Sequence, residues 1–221
     1  MGFGAYAEYK CLSEESVLAI KPNNVSHAEA ASIAFGGNAA LYFLRKAAIK
    51  SEQKVLIYGA SGAVGTAAVQ LARYYGAEVT GVCSASNAAL VKSIGVDKVI
   101  DYTKEDFTKN GETYDVIFVT VDKLSFFQSI KSLKKKGILI LSATEISQTL
   151  KGVWRSLTSC QKVSSGIITE KADDIVFLTE LIEKRNYKPV VDRTFPLDQM
   201  VEAHRYVEQG HKRGNVAITV V

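Results

Sequence analysis

Three glycines, Gly59, Gly62 and Gly65, recur at intervals of three directly after the apolar run Val55-Leu56-Ile57-Tyr58. The chemistry open to this spacing is anion binding. The early glycine permits a tight turn, Gly62 removes a side chain where backbone approaches a pyrophosphate, and Gly65 lets the next helix pack on the strand. The free amides and the dipole at that helix's start then point back at the turn. Spaced glycines also serve plain turn packing, so context must decide. Val64, Ala68, Leu71, Ala72 and Tyr75 share one helical face, and Glu78 to Cys83 reads as a second strand after Gly76. The segment is therefore a β-α-β unit with a nucleotide site at its first turn.

The tip of the second strand carries the next chemistry, Cys83-Ser84-Ala85-Ser86-Asn87. In such units an acidic residue here accepts from the ribose 2′-hydroxyl of NAD and repels the 2′-phosphate of NADP. No Asp or Glu lies between Glu78 and Asp97. Ser84, Ser86 and Asn87 can donate to a phosphate, which favours NADPH over NADH. The same side chains could instead cap the following helix, and the two roles are compatible. Cys83 reads as the buried end of a strand.

Bond-making constellations are otherwise missing. No Ser-His-Asp or Cys-His arrangement stands out, and His27, His204 and His211 lack metal-ligand spacing. His27 falls inside the capping box Ser26-His27-Ala28-Glu29, as an exposed first-turn residue. His204 shares a helical face with Met200 and Val207 and reads as a packing histidine. No metal-ligating residue is assigned.

The elements that position the turn follow from the rest of the chain. At 221 residues, 47% hydrophobic and 23% charged, it can bury a sizeable core. A net charge of +4 gives no basis for nucleic-acid binding, and the densest basic run, Lys134-Lys135-Lys136, reads as the end of a helix. Cys11, Cys83 and Cys160 are widely spaced, as in a reducing compartment. With no membrane-length apolar run and no signal pattern, a cytoplasmic location without membrane partners is expected.

Gly2 to Lys10 reads as a strand or a bend, and Pro22-Asn23-Asn24 as a break. Helices are expected over Ala28 to Ile33 and Ala39 to Ala48, with Gly36-Gly37-Asn38 as the corner between them. Further strands fall at Val99-Ile100, Tyr114 to Val119, Gly137 to Leu141 and Val163 to Ile168, alternating with helices around Leu90 and Phe126. Lys151 to Gln161 reads as irregular. Asp173 caps a helix through Ile182. An extended Pro189 to Phe195, a helix from Leu197 to Glu208 and a strand Val216 to Val221 close the chain. The fold class is α/β, a doubly wound parallel Rossmann sheet of about six strands.

The chain resembles the quinone oxidoreductase-like branch of the medium-chain dehydrogenase/reductase superfamily, also called zinc-type alcohol dehydrogenase-like proteins. The resemblance rests on Phe3-Gly4-Ala5-Tyr6-Ala7-Glu8-Tyr9, Gly36-Gly37-Asn38-Ala39-Ala40-Leu41, Gly59 to Gly65, Val99-Ile100-Asp101-Tyr102 and Asp192 to Leu197. It implies that residues 1–25 and 188–221 are β remnants of a GroES-like catalytic lobe, flanking a dinucleotide-binding domain over 26–187. It also implies cofactor contacts at Ser61, Gly62, Ala63 and Val64 for the pyrophosphate, and Ser84, Ser86 and Asn87 near the 2′-phosphate. Tyr102 would meet the adenosine end, though a plain surface aromatic is the alternative. Val119, Thr120, Val121, Leu141, Ser142 and Ala143 would flank the nicotinamide. The Gly36 corner would lie near that ring, with Asn38 as the candidate catalytic residue where relatives often have threonine. Asp122 replaces a common glycine, and Ser86 stands where many NADP users have a basic residue.

The function this implies is a zinc-independent, NADPH-dependent oxidoreductase passing hydride to a quinone, an enone or a related carbonyl. Alcohol or aldehyde chemistry is the nearer alternative, and a truncated, nucleotide-binding but inactive fragment is the other. The partner expected is a second copy, joined through the open edge at Val163 to Ile168.

Overall fold

The computed structural model describes residues 4–121, 124, 126–142 and 160–220. Six strands form one parallel sheet: β1 (Lys54–Tyr58), β2 (Glu78–Cys83), β3 (Lys98–Asp101), β4 (Tyr114–Val119), β5 (Leu133–Leu141) and β6 (Lys162–Ser164). Their order is β3-β2-β1-β4-β5-β6. The chain winds outward from β1 to β3 and then returns to start β4 on the other side of β1, so the crevice at the strands' carboxyl ends opens between β1 and β4.

Side-chain alternation explains why the sheet is covered on both faces. Val55, Ile57, Val116, Phe118 and Ile140 enter one core with α2 (Ile33–Lys46), α3 (Ala63–Tyr74) and α6 (Ala172–Glu183). Leu56, Ile117, Val119, Leu139 and Leu141 enter the other, under Phe107 and α5 (Phe126–Lys131). Phe43 of α2 meets Phe118 edge-on at 5.8 Å, locking the first helix layer to the central strands.

The short helix α1 (His27–Ala31) begins at the expected capping box, with Ser26 accepting from the Glu29 amide and Glu29 accepting from the Ser26 amide. His27 is exposed. Helix α4 (Ala88–Ser93) completes the β2-to-β3 crossover. Beyond the main sheet, β7 (Val191–Pro196) and β8 (Asn215–Thr219) pair parallel as a separate two-stranded sheet, linked by α7 (Met200–Glu208). Gly4 to Ile20 contains bends and a turn but no strand, and nearly all of it is exposed.

Several local readings are corrected. The corner between the first two helices is at Ser32, and α2 runs unbroken through Gly36, Gly37 and Asn38. These glycines are packing positions: a Cβ on Gly36 would lie 2.6 Å from the Ala63 carbonyl oxygen, and one on Gly37 would lie 3.2 Å from Leu178. Lys134-Lys135-Lys136 starts β5, and does not end a helix; Lys134 donates to the Asp115 carboxylate of the neighbouring strand at 2.7 Å. The N-cap of α6 is Lys171, with Asp173 and Asp174 in the first turn. Asp174 is buried and ion-paired with Arg45, so tertiary pairing sets that turn. His204 is exposed and touches Tyr6 edge-on, because α7 buries only Ala203. The sixth strand is Lys162–Ser164, shorter than Val163 to Ile168. Of the irregular stretch expected over Lys151 to Gln161, all but Cys160 and Gln161 lies outside the described residues.

Gly36→Ala tests the packing role directly. Alanine is the better helix former by about 1 kcal/mol, so at a mere corner the change would be neutral or stabilising. Against a carbonyl 2.6 Å away it should instead lower stability by about 1–3 kcal/mol, seen as a reduced urea midpoint with an unchanged slope.

Candidate cofactor site

The sequence places its polar and glycine-rich residues just past five consecutive strand ends, which the parallel sheet brings to one edge. After β1, Gly59 takes φ +87, a backbone state that favours glycine, and its amide and that of Ala60 donate to the Val82 carbonyl at 3.1 and 3.0 Å. A Cβ on Gly59 would meet Thr120 Oγ at 2.6 Å, so the turn is clasped by the residues after β4. Thr120 Oγ donates to the carbonyls of Tyr58 and Gly59, at 2.9 and 3.2 Å.

The three glycines divide their tasks. A Cβ on Gly65 would fall 2.0 Å from the Gly59 carbonyl oxygen, which fixes the packing of α3 on the turn. Gly62 is different: the nearest atom to its Cβ would be 3.5 Å away, an ordinary contact. Its side of the turn is open, as close approach of a ligand requires. Gly62 is the N-cap of α3 and supplies no side-chain cap to the first amides of the helix. Ser61 lies between the last segment and the β2 tip. Its carbonyl accepts from the Gly214 amide at 2.7 Å, and its hydroxyl accepts from Asn87 Nδ2 at 3.1 Å.

At the β2 tip, Ser84 Oγ and Ser86 Oγ are 3.0 Å apart, and neither Ser84 nor Asn87 caps the helical turn it precedes. Capping therefore does not occupy these groups. Cys83 is buried; burial, aided by the Asp101 carboxylate, pushes its thiol up to about 11, so it stays protonated at neutral pH. Tyr102 is more than half exposed and lines a cavity of about 280 Å³ with Tyr58, Val82 and Phe107. Burial raises the Tyr58 phenol above its ordinary range, so it too stays neutral. Glu105, Asp106 and Gln128 also line this slot, so aromatic faces that can stack on a flat heterocycle are rimmed by polar and acidic groups.

On the other side of the crevice, Ser142 donates from both its amide and its hydroxyl to the Val119 carbonyl, at 3.2 Å each. This joins the ends of β4 and β5, so Val119, Thr120, Val121, Leu141 and Ser142 form a continuous rim. Ala143 and Asp122 lie outside the described residues.

Asn38 is 1% exposed, and both Nδ2 and Oδ1 lack a hydrogen-bond partner. An amide so buried ordinarily finds partners, and leaving one unpaired costs about 1–3 kcal/mol. No hydrogen bond ties Asn38 to the strand-end groups.

Two features were not legible in the sequence. Asp101 pairs in register with Cys83, so a carboxylate reaches the β2 tip from the neighbouring strand. One of its oxygens is held by the Thr103 hydroxyl and amide, at 2.8 and 3.0 Å, and these bonds keep the group below the usual carboxylate range. The second is the loop before β8: Gly214 bridges to Gly62, while Lys212 Nζ donates to the Gly214 carbonyl at 2.7 Å. Only three-dimensional pairing brings either residue to the site.

Among the described residues no three His, Cys, Asp or Glu side chains come together as a metal site, so they offer no zinc ligand set. Nor is any helix among them long and apolar enough to cross a membrane.

A parallel six-stranded sheet with an uncapped helix at its glycine turn defines a Rossmann-type dinucleotide-binding fold. The chain belongs to the zinc-binding dehydrogenase family, which matches residues 94–218. It is 32% identical over 221 residues to 2-methylene-furan-3-one reductase of Solanum lycopersicum, covering 98% of this chain and 53% of that protein. It is 30% identical over 220 residues to the chloroplastic NADPH-dependent alkenal/one oxidoreductase of Arabidopsis thaliana, again covering 98% and 53%. The solved quinone oxidoreductase from Coxiella burnetii superposes with a TM-score of 0.83 at 28% identity, over 91% of this chain and 63% of that one. The chain thus spans about half the length of these two curated relatives.

Asn38→Ala separates a structural amide from one kept for a ligand. Removing two unpaired polar atoms should leave the free protein as stable or more so, by up to about 1–3 kcal/mol in the urea midpoint. The same change should weaken nicotinamide-cofactor binding roughly tenfold, about 1.4 kcal/mol, by fluorescence titration. Lower stability with unchanged binding would make Asn38 a packing residue.

Proposed function

We propose that this chain is the cofactor-holding part of a zinc-independent, NADPH-dependent oxidoreductase that reduces quinones, enones or related carbonyl compounds. The observation that carries the reading is the open, uncapped turn at Gly62 beside the paired hydroxyls of Ser84 and Ser86. The amides at the start of α3 would hold the diphosphate, with the helix dipole favouring its charge. Ser84 and Ser86 would donate to the 2′-phosphate, and Asn87 would keep Ser61 in place. Asp101 works against this preference, because its carboxylate reaches the same tip with only one oxygen held by Thr103. The slot of Tyr58 and Tyr102 would take the adenine. When bound, the cofactor supplies a hydride; the rim of Val119 to Val121, Leu141 and Ser142 would orient the nicotinamide and exclude water.

The names of the tomato and Arabidopsis relatives and of the Coxiella structure support the choice of enone or quinone as acceptor. We place the substrate between this sheet and a second lobe, to which residues 1–25 and 188–221 belong. Its two-stranded β7–β8 sheet packs on α7 and meets the turn at Gly214, which bridges to Gly62 and donates to the Ser61 carbonyl. A cytoplasmic location fits three free cysteines, although the Arabidopsis relative is chloroplastic.

Titration with both cofactors tests the reading. NADPH should bind more tightly than NADH, and replacing Ser84 and Ser86 together with alanine should remove most of that difference while leaving NADH binding within about twofold. Equal affinities in the unaltered chain would refute the preference. NADPH oxidation with a quinone and an enone then assays the acceptor class, with dialysed protein expected to hold no stoichiometric zinc.

We also propose a homodimer through β6. This strand is the sheet edge, pairing only with β5 among the described strands, and it is short and carries one lysine. Light scattering at micromolar concentration should give twice the chain mass, and a monomer mass would count against it.

A further inference from the structure

A cavity of about 940 Å³ lies between the second half of α3, the end of α4 and the chain that leaves α6. Its volume is within the range of about 300–1,000 Å³ usual for small-molecule sites. Tyr74, Ile94 and Val190 give it apolar surface, and Arg73, Arg185 and Lys188 give it cations. Arg73 is already paired with Asp97. Arg185 and Lys188 have no carboxylate within ion-pair reach among the described residues. Glu29 also lines the cavity and feels the Lys188 charge across it, although no ion pair forms; its Oε2 accepts from the Ser26 amide and hydroxyl at 2.8 Å each, and those bonds hold it in the capping box.

The backbone carrying each of these two cations is held by hydrogen bonds. Arg185 follows the C-terminus of α6 in the left-handed region at φ 59, where its amide and that of Asn186 donate to the Ile182 and Leu181 carbonyls at 2.9 and 2.8 Å and close the helix, and its side chain is exposed. Lys188 is fixed from below: its amide donates to Gln70 Oε1 at 2.7 Å, and Gln70 Nε2 donates back to the Lys188 carbonyl at 3.0 Å. Gln70 is itself buried, so the backbone carrying the ammonium is set in advance.

We propose that this cleft is a second ligand site, separate from the cofactor groove, for an amphipathic organic anion with an apolar body and a carboxylate or phosphate head. The head sits between Arg185 and Lys188, where the guanidinium fork can grip two oxygens. The body lies on Tyr74, Ile94 and Val190. Nothing in this site depends on which nicotinamide cofactor the strand ends take.

Calorimetric titration of the full chain with octanoate and with phenyl phosphate tests it, using octanol and inorganic phosphate as the body-only and head-only controls. At least one amphipathic anion should bind, more tightly than either control, and the tighter one identifies the head. Arg185→Gly and Lys188→Ala should each weaken that binding by on the order of tenfold. Because glycine suits the left-handed position, Arg185→Gly should melt no lower than the unaltered chain, so its loss of binding cannot be ascribed to unfolding. Binding should persist in saturating NADPH. The proposal is overturned if neither anion binds, if a control binds as well, if both variants bind normally, or if NADPH displaces the anion.

Discussion

Gly65 approaches the Gly59 carbonyl so closely that a methyl group there would lie 2.0 Å from the oxygen, and the rest of the site depends on that contact. Helix α3 can start directly on the turn only if no side chain intervenes at this point. The same economy holds one layer out, where Gly36 of α2 lies against the Ala63 carbonyl. Three segments of bare backbone are thereby stacked, and the carbonyls on the inner side are already in contact with protein. The amides on the outer side are left without a side-chain cap. A helix start with neither a serine nor an aspartate over it is electrostatically incomplete, and an anion completes it.

Much of this was legible in the sequence, because the signals were local. A four-residue apolar run ahead of spaced glycines has few other uses, and the alternating burial of Val55, Leu56 and Ile57 follows from a strand covered on both faces. The positions after each strand also follow from sequence, since a parallel sheet collects its carboxyl ends on one edge.

What escaped the sequence was whatever depended on a partner far along the chain. Gly36-Gly37 has the composition of a corner, and only the nearness of α3 shows that the glycines are there for packing. Three successive lysines look like a helix end until Asp115 on the next strand accounts for one of them. Asp101 is remote from the β2 tip in sequence and adjacent to it in register. The solitary amide of Asn38 is a matter of missing partners, which no residue pattern records.

The bridge from Gly214 to Gly62, with its 2.7 Å bond to the Ser61 carbonyl, has a consequence for the order of assembly. The two halves of this contact are separated by most of the chain. Strands β1 and β2 can pair early during synthesis through their local crossover, but the turn between them gains its last support only after the loop before β8 has emerged. Closing so long a loop is slow and its entropy is recovered late, so this contact forms near the end of folding. A nascent chain would therefore carry a recognisable half-sheet well before it carried a finished turn.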